Sequence, residues 1–125
     1  MASPFDYAVI RVVPRIEREE FVNAGVIVFA RTLDYLRCAC ALDEARVLAL
    51  DPTADLAAIR RHLAGISAVC DGAAAAGPIG RLPRPDRFHW LTTPRSTLLQ
   101  PSPVHAGMTD DPAATLAHLV EKLVR

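Results

Sequence analysis

Val26-Ile27-Val28-Phe29-Ala30-Arg31-Thr32-Leu33-Asp34-Tyr35-Leu36-Arg37-Cys38-Ala39-Cys40-Ala41-Leu42 decides the fold class. Val26–Ala30 is rich in β-branched and aromatic side chains and reads as a strand. Arg31–Asp34 is too short for a crossover, so the next run must return antiparallel. Tyr35–Leu42 alternates well enough to be that returning strand. Upstream, Tyr7-Ala8-Val9-Ile10-Arg11-Val12-Val13 is a β-branched run closed by Pro14, and it predicts an earlier strand. Arg15–Glu20 is a charged connection, read as a short helical turn or a loop. Gly25 suits a bulge or an entry turn.

Downstream the period changes. Val47–Leu50 reads as a short strand or as the lead-in to a helix. Asp51-Pro52 predicts a helix start, with Asp51 as cap and Pro52 in the first turn. Leu56, Ile59, Leu63, Ile66 and Val69 form one apolar stripe with Arg60 and Arg61 off it, and Asp71-Gly72 predicts the stop. Ala73–Pro85 is the longest irregular stretch. Arg87–Thr93 reads as a strand with Phe88 and Trp90 on one face, and Thr97–Gln100 as a short one. Asp111-Pro112 repeats the helix-start signal before Leu116, Leu119, Val120, Leu123 and Val124. Strands, then helix, strands and helix again indicate one α+β domain over residues 1–125. The expected architecture is a mainly antiparallel sheet with two amphipathic helices packed on one face.

Composition excludes several function classes. Fourteen basic residues balance fourteen acidic ones, so no global field draws the chain to nucleic acid or to an anionic membrane. No run approaches the ~20 apolar residues that span a bilayer. The N-terminus lacks a basic region followed by an apolar run, and the cysteine count is odd. A cytoplasmic chain without disulfides is the expectation. Cys38 and Cys40 lie on one strand face and Cys70 on a helix. Zinc wants four convergent ligands, so packed thiols are expected and no metal is assigned. His62 and His118 read as exposed helical residues, His89 as a core or edge histidine. No phosphate loop, dinucleotide fingerprint, zinc-protease motif or nucleophile elbow is present, so no cofactor is assigned.

One stretch stands apart: Pro94-Arg95-Ser96-Thr97-Leu98-Leu99-Gln100-Pro101-Ser102-Pro103-Val104-His105-Ala106-Gly107. Its three prolines make it stiff and extended, and stiff polar loops carry sites. Arg95 offers a planar fork for phosphate or carboxylate. Ser96, Thr97, Gln100, Ser102 and His105 are hydrogen-bonding candidates beside it. Each also has a structural reading, since hydroxyls satisfy turn amides and a histidine braces a turn. Glu17 and Glu20 read as a solvated charge run or as acid–base and Mg²⁺ ligands. With Asn23 they would share a pocket with Arg95 and His105, if the first hairpin and the later strands share a sheet.

Two segments carry a resemblance. Tyr7–Arg15 with Glu17–Phe29, and Pro94–Thr97 with Gln100–Gly107, resemble the bacterial family catalogued as domain of unknown function 3037. The resemblance covers nearly the whole chain and implies no assigned activity, cofactor or catalytic residue. It implies a protein partner, since members are often encoded beside a HipA-like kinase. The first expectation is therefore a binding or accessory module that acts with a partner protein. The alternative is an enzyme or binder of a phosphate- or carboxylate-bearing small molecule, with Arg95 as clamp and His105 as acid or base. A homodimer through an open sheet edge is also expected.

Overall fold

The computed structural model describes residues 1–125 and is an α+β fold built on one five-stranded antiparallel sheet. The strands are β1 (Ser3–Val12), β2 (Val22–Ala30), β3 (Tyr35–Cys40), β4 (Leu99–Pro101) and β5 (His105–Thr109). β1 is central. β2 pairs along one side of it, and β3 lies outside β2. On the other side, β4 pairs with Ile10–Val12 and β5 with Ser3–Tyr7. Ser102 joins these two short strands, its N–H donating to the Val9 carbonyl. The Gly25 expectation holds: the β1–β2 register slips between Ile10 and Arg11, opposite Ala24. A Cβ on Gly25 would come within 2.8 Å of the Ala39 carbonyl oxygen and 3.0 Å of Cys40 Sγ. Only glycine lets β2 and β3 close there.

The four α-helices are α1 (Glu44–Leu50), α2 (Leu56–Asp71), α3 (Arg84–Thr92) and α4 (Pro112–Leu123). α2 and α3 bury Ile59, Leu63, Val69, Phe88 and Leu91 against Ile10, Ile27, Phe29 and Leu36. α4 buries Leu116 and Val120 against Phe5, Val26 and Val28. The amphipathic helices therefore cover opposite faces of the sheet, which corrects the expectation of one face. The cause is visible in β2, where every residue from Ala24 to Ala30 is buried. An unbroken apolar strand must be covered on both sides.

Other elements also differ from expectation. Val47–Leu50 is helical, the end of α1, whose Asp43 cap accepts from the Arg46 N–H at 3.1 Å. Asp51-Pro52 does not start a helix. Asp51 turns inward at the end of α1, and its carboxylate accepts from the Thr53 hydroxyl at 2.7 Å and the Thr53 N–H at 3.0 Å. The cap of α2 is instead Asp55, which accepts from the Ala58 N–H at 3.0 Å. Ala73–Pro85 is not wholly irregular: Ala74–Arg81 is 3-10 helical with a break at Gly77. Arg87–Thr93 is not a strand: Arg87–Thr92 is the body of α3, and Thr93 follows it as the cap. Pro85 suits its first turn, and Phe88 and Leu91, three apart, face the core. Buried Arg87 donates to the Val69, Cys70 and Leu82 carbonyls at 2.8–2.9 Å, closing the C-terminal end of α2. Two expectations hold: Gly72 ends α2 at a φ of 64°, and Asp111 caps α4 through the Ala114 N–H. No single helix is long and apolar enough to cross a membrane.

Candidate functional site

α2 fixes one wall of a groove lined mostly by apolar side chains. Its exposed side presents Arg61 and His62, then Gly65 one turn on, while Ile66 and Val69 turn toward the core. Glycine inside a helix costs about 1 kcal/mol relative to alanine, so its placement calls for a reason. A Cβ on Gly65 would meet nothing within 4 Å, and the residue opens the groove instead of permitting a close contact. The other wall is Trp90 at the end of α3 and the chain that follows it. That chain brings Arg95, Thr97, Leu98 and Leu99 back toward α2. Ala75 and Ala76 close one end. The enclosed volume is about 480 Å³. That is the size of a small-ligand site.

Charge and polarity in the groove are one-sided. No carboxylate lines it, whereas Arg61, Arg95 and His62 do. Arg95 is held over the Trp90 ring, its guanidinium carbon 4.9 Å from the ring centre. It donates through Nε to the Thr93 carbonyl at 3.2 Å and through Nη2 to the Trp90 carbonyl. These contacts position the fork and leave other N–H groups unused. Neither Arg61 nor Arg95 has an acidic partner. The chemistry on offer is recognition: an apolar floor, a stacking indole and two unneutralised guanidinium groups.

The residues predicted from the sequence separate here. Arg95 and Thr97 line the groove, with Ser96 exposed between them. The Thr97 hydroxyl donates to the Leu99 carbonyl at 2.7 Å, and the Gln100 amide donates to the Thr97 carbonyl at 2.9 Å, so both shape the turn. Ser102 is buried; its Oγ accepts from the Val9 N–H at 2.8 Å and donates to the Pro103 carbonyl at 2.9 Å. It replaces a ladder carbonyl and is structural. His105 packs tilted against Tyr7, ring centres 5.2 Å apart, on the α4 face of the sheet. Arg95 lies on the α2 face, beside Ile10, Ile27 and Ile66. The shared Arg95–His105 pocket does not exist, because β5 presents His105 beside Tyr7 on the α4 face while the chain after α3 carries Arg95 along the α2 face.

Glu17 and Glu20 sit exposed in the β1–β2 turn, away from the groove. A hydrogen bond from Arg18 holds the Glu20 carboxyl below its ordinary range. The Asn23 amide donates to the Leu123 carbonyl at 3.0 Å at the end of α4. Its Oδ1, like Nε of the cross-strand Arg11, is buried without a partner. Arg11 instead lies over the Phe21 ring at 4.2 Å. No three His, Cys, Asp or Glu side chains are arranged to hold a metal ion.

Sequence reasoning missed Arg61, His62 and Trp90. Arg61 and His62 read as a solvated helix face, and Trp90 as part of a strand. The usable signal is Gly65 at one turn from Arg61 and His62, an unfavoured residue inside an amphipathic helix.

Residues 7–124 match the family described as protein of unknown function (DUF3037). No curated protein and no solved structure matches the chain.

Proposed function

The chain belongs to the DUF3037 family, and from that premise we propose that it is a binding module that acts with a partner protein through the groove between α2 and the Trp90–Leu99 segment. The carrying observation is that groove itself, apolar at its floor and lined by Arg61, His62 and Arg95 with no acid opposing them. Trp90, 39% exposed at its edge, and Arg95 are of the residue types that dominate binding interfaces. The complementary partner segment has an apolar side chain next to a carboxylate or phosphate. The HipA-like kinase that the family resemblance implies is the first partner to test, in the cytoplasm. Co-purification of that kinase with the wild-type chain, lost for Arg95→Ala with an unchanged circular dichroism spectrum, is the expected result. Wild-type protein that stays alone at micromolar concentration beside the kinase would sink this reading.

A second reading is that the groove takes a free small molecule carrying a phosphate or carboxylate. What favours it is the absence of any ion-pair partner for Arg61 and Arg95, which leaves two forks for an anion. Phenyl phosphate, titrated while the Trp90 indole amide is followed by NMR, tests it directly. Saturable shifts that vanish in Arg95→Ala favour this reading; an unmoved Trp90 signal removes it.

A further inference from the structure

The two edges of the sheet are built differently. β3 forms one of them. Arg37 stands opposite Val28 on the α4 face, while Asp71 ends α2 on the other face. Their ion pair, 2.9 Å long, therefore crosses the outer side of β3 and covers it with charge. The opposite edge is shared by β4 and β5. Pro101 and Pro103 have no N–H to offer a further strand, so β4 is blunted as well. β5 carries neither device: His105-Ala106-Gly107-Met108-Thr109 contains no proline and no Lys, Arg, Asp or Glu.

The direction of the β5 backbone groups follows from β1. Val9 donates to Ser102 Oγ and accepts from the Ser102 N–H, so its peptide groups face this side of β1. Alternation turns Tyr7, Phe5 and Ser3 the same way, toward their partners His105, Gly107 and Thr109. The N–H and C=O groups of Ala106 and Met108 thus point away from the sheet. β5 pairs only with β1, and no loop returns to cover these groups. Apolar side chains line the same edge. After the N-terminal Met1, Met108 and Val104 are the most exposed large apolar residues, at 64% and 46%. The helices pack mainly over β2, β3 and β4, so they leave the flank beside β5 open.

We propose that β5 is a dimer edge: a second copy of the chain adds its own β5 antiparallel to this one, about a two-fold axis through Gly107, and the two sheets become one. A second copy is the occupant because the strand is complementary to itself in that register. All five residues of β5 pair, which no other axis position allows. Ala106 exchanges both backbone bonds with Met108 of the second copy, and the apolar side chains of this pair lie together on the α2 face. His105 meets Thr109 of the second copy on the α4 face, and no like charges are opposed across the axis. Gly107 meets its own copy at the close, non-hydrogen-bonded position, where a missing Cβ lets the backbones approach. An isologous contact of this kind closes at two copies and does not run on into a fibre. The interface is one short strand with Met108 and Val104, small beside an obligate dimer, so a dissociation constant of about 10–100 µM is expected. The dimer edge is independent of the groove, none of whose lining residues lies on β5.

The test is sedimentation equilibrium on the full chain, with amide exchange followed by NMR over the same concentrations. The 13.5 kDa chain should approach twice that mass as concentration rises through about 10–500 µM. The Ala106 and Met108 amides should gain protection over that range, whereas those of His105, Gly107 and Thr109 are protected at every concentration. Met108→Lys puts a charge on the edge and should raise the dissociation constant about tenfold or more. Ala106→Pro removes an outward N–H and no bond to β1, and should do the same. Arg95→Ala, in the groove, should leave the constant unchanged. A monomer at every concentration would overturn the assignment. So would a dimer whose Ala106 and Met108 amides stay unprotected, or one that Met108→Lys leaves intact. Met108→Lys, at an exposed position, keeps the question answerable if Ala106→Pro does not fold.

Discussion

The two halves of the Pro94–Gly107 segment are both polar and proline-bearing, yet they have opposite fates. Pro94–Leu98 hangs from the end of α3, is tied to the β1 chain only where the Leu98 carbonyl accepts from the Val13 N–H, and lends Arg95 and Thr97 to a groove. Gln100–Gly107 is stitched to β1, with Ser102 donating to and accepting from Val9 and Gly107 lying under the Phe5 ring. What separates them is the neighbour. Where β1 continues alongside, the backbone joins its ladder and Ser102 with it; where β1 ends at Val12, Arg95 keeps guanidinium N–H groups unused. A polar, proline-rich signature can therefore be half scaffold and half site.

The difference can be broken from the scaffold side first. Ser102→Ala leaves the Val9 N–H buried without its acceptor and should cost about 2 kcal/mol, read by urea denaturation with an unchanged m-value. Gly107→Ala puts a Cβ 2.7 Å from Phe5 Cε1, forcing that buried ring to move. A loss of about 1 kcal/mol is expected in the same assay, and Phe5→Leu with Gly107→Ala should recover part of it. Gly65→Ala acts on the groove with the opposite sign. Its Cβ meets nothing, so α2 should gain about 0.5–1 kcal/mol by thermal denaturation while the groove narrows and binding weakens. Arg95→Ala should be the mildest for stability, within about 0.5 kcal/mol, because its contacts are at the surface. If Arg95→Ala destabilised as much as Ser102→Ala, the division of the segment into site and scaffold would fail.

Acid sensitivity offers a control outside the segment. The Thr53 hydroxyl and amide, with Arg15, hold the Asp51 carboxyl below its ordinary range. A depressed carboxylate contributes stability above its unfolded value, near pH 4, and loses it as pH falls through the folded one. Wild-type stability should drop across that window, and Asp51→Asn should flatten the drop without touching groove binding.

Much of the fold was legible in the residues themselves. The Val26–Leu42 hairpin, the Gly25 bulge, the Gly72 stop and the Asp111-Pro112 start are local choices made by φ preference, pleat and cap chemistry. So was the two-sided cover of the sheet, had the unbroken apolar run of β2 been read as burial on both faces. α3 was misread because Phe88, Trp90 and Arg87–Thr93 alternate over a short window, where strand and helix patterns overlap. Asp51 looked like a cap because Asp-Pro usually opens a helix; here the preceding helix had already claimed it.

The local pattern was enough for the β1–β3 strands, the amphipathic stripes of α2 and α4, and the placing of Arg95 and Thr97 on an unusual polar loop. Only the tertiary structure decided which of those residues meet. Arg61 and His62 face Arg95 because α2 docks on one side of β1, and His105 is lost to the site because β5 presents it on the other. Those outcomes depend on contacts between residues far apart in the chain, whose energies are set by packing and register and leave no mark on the local pattern.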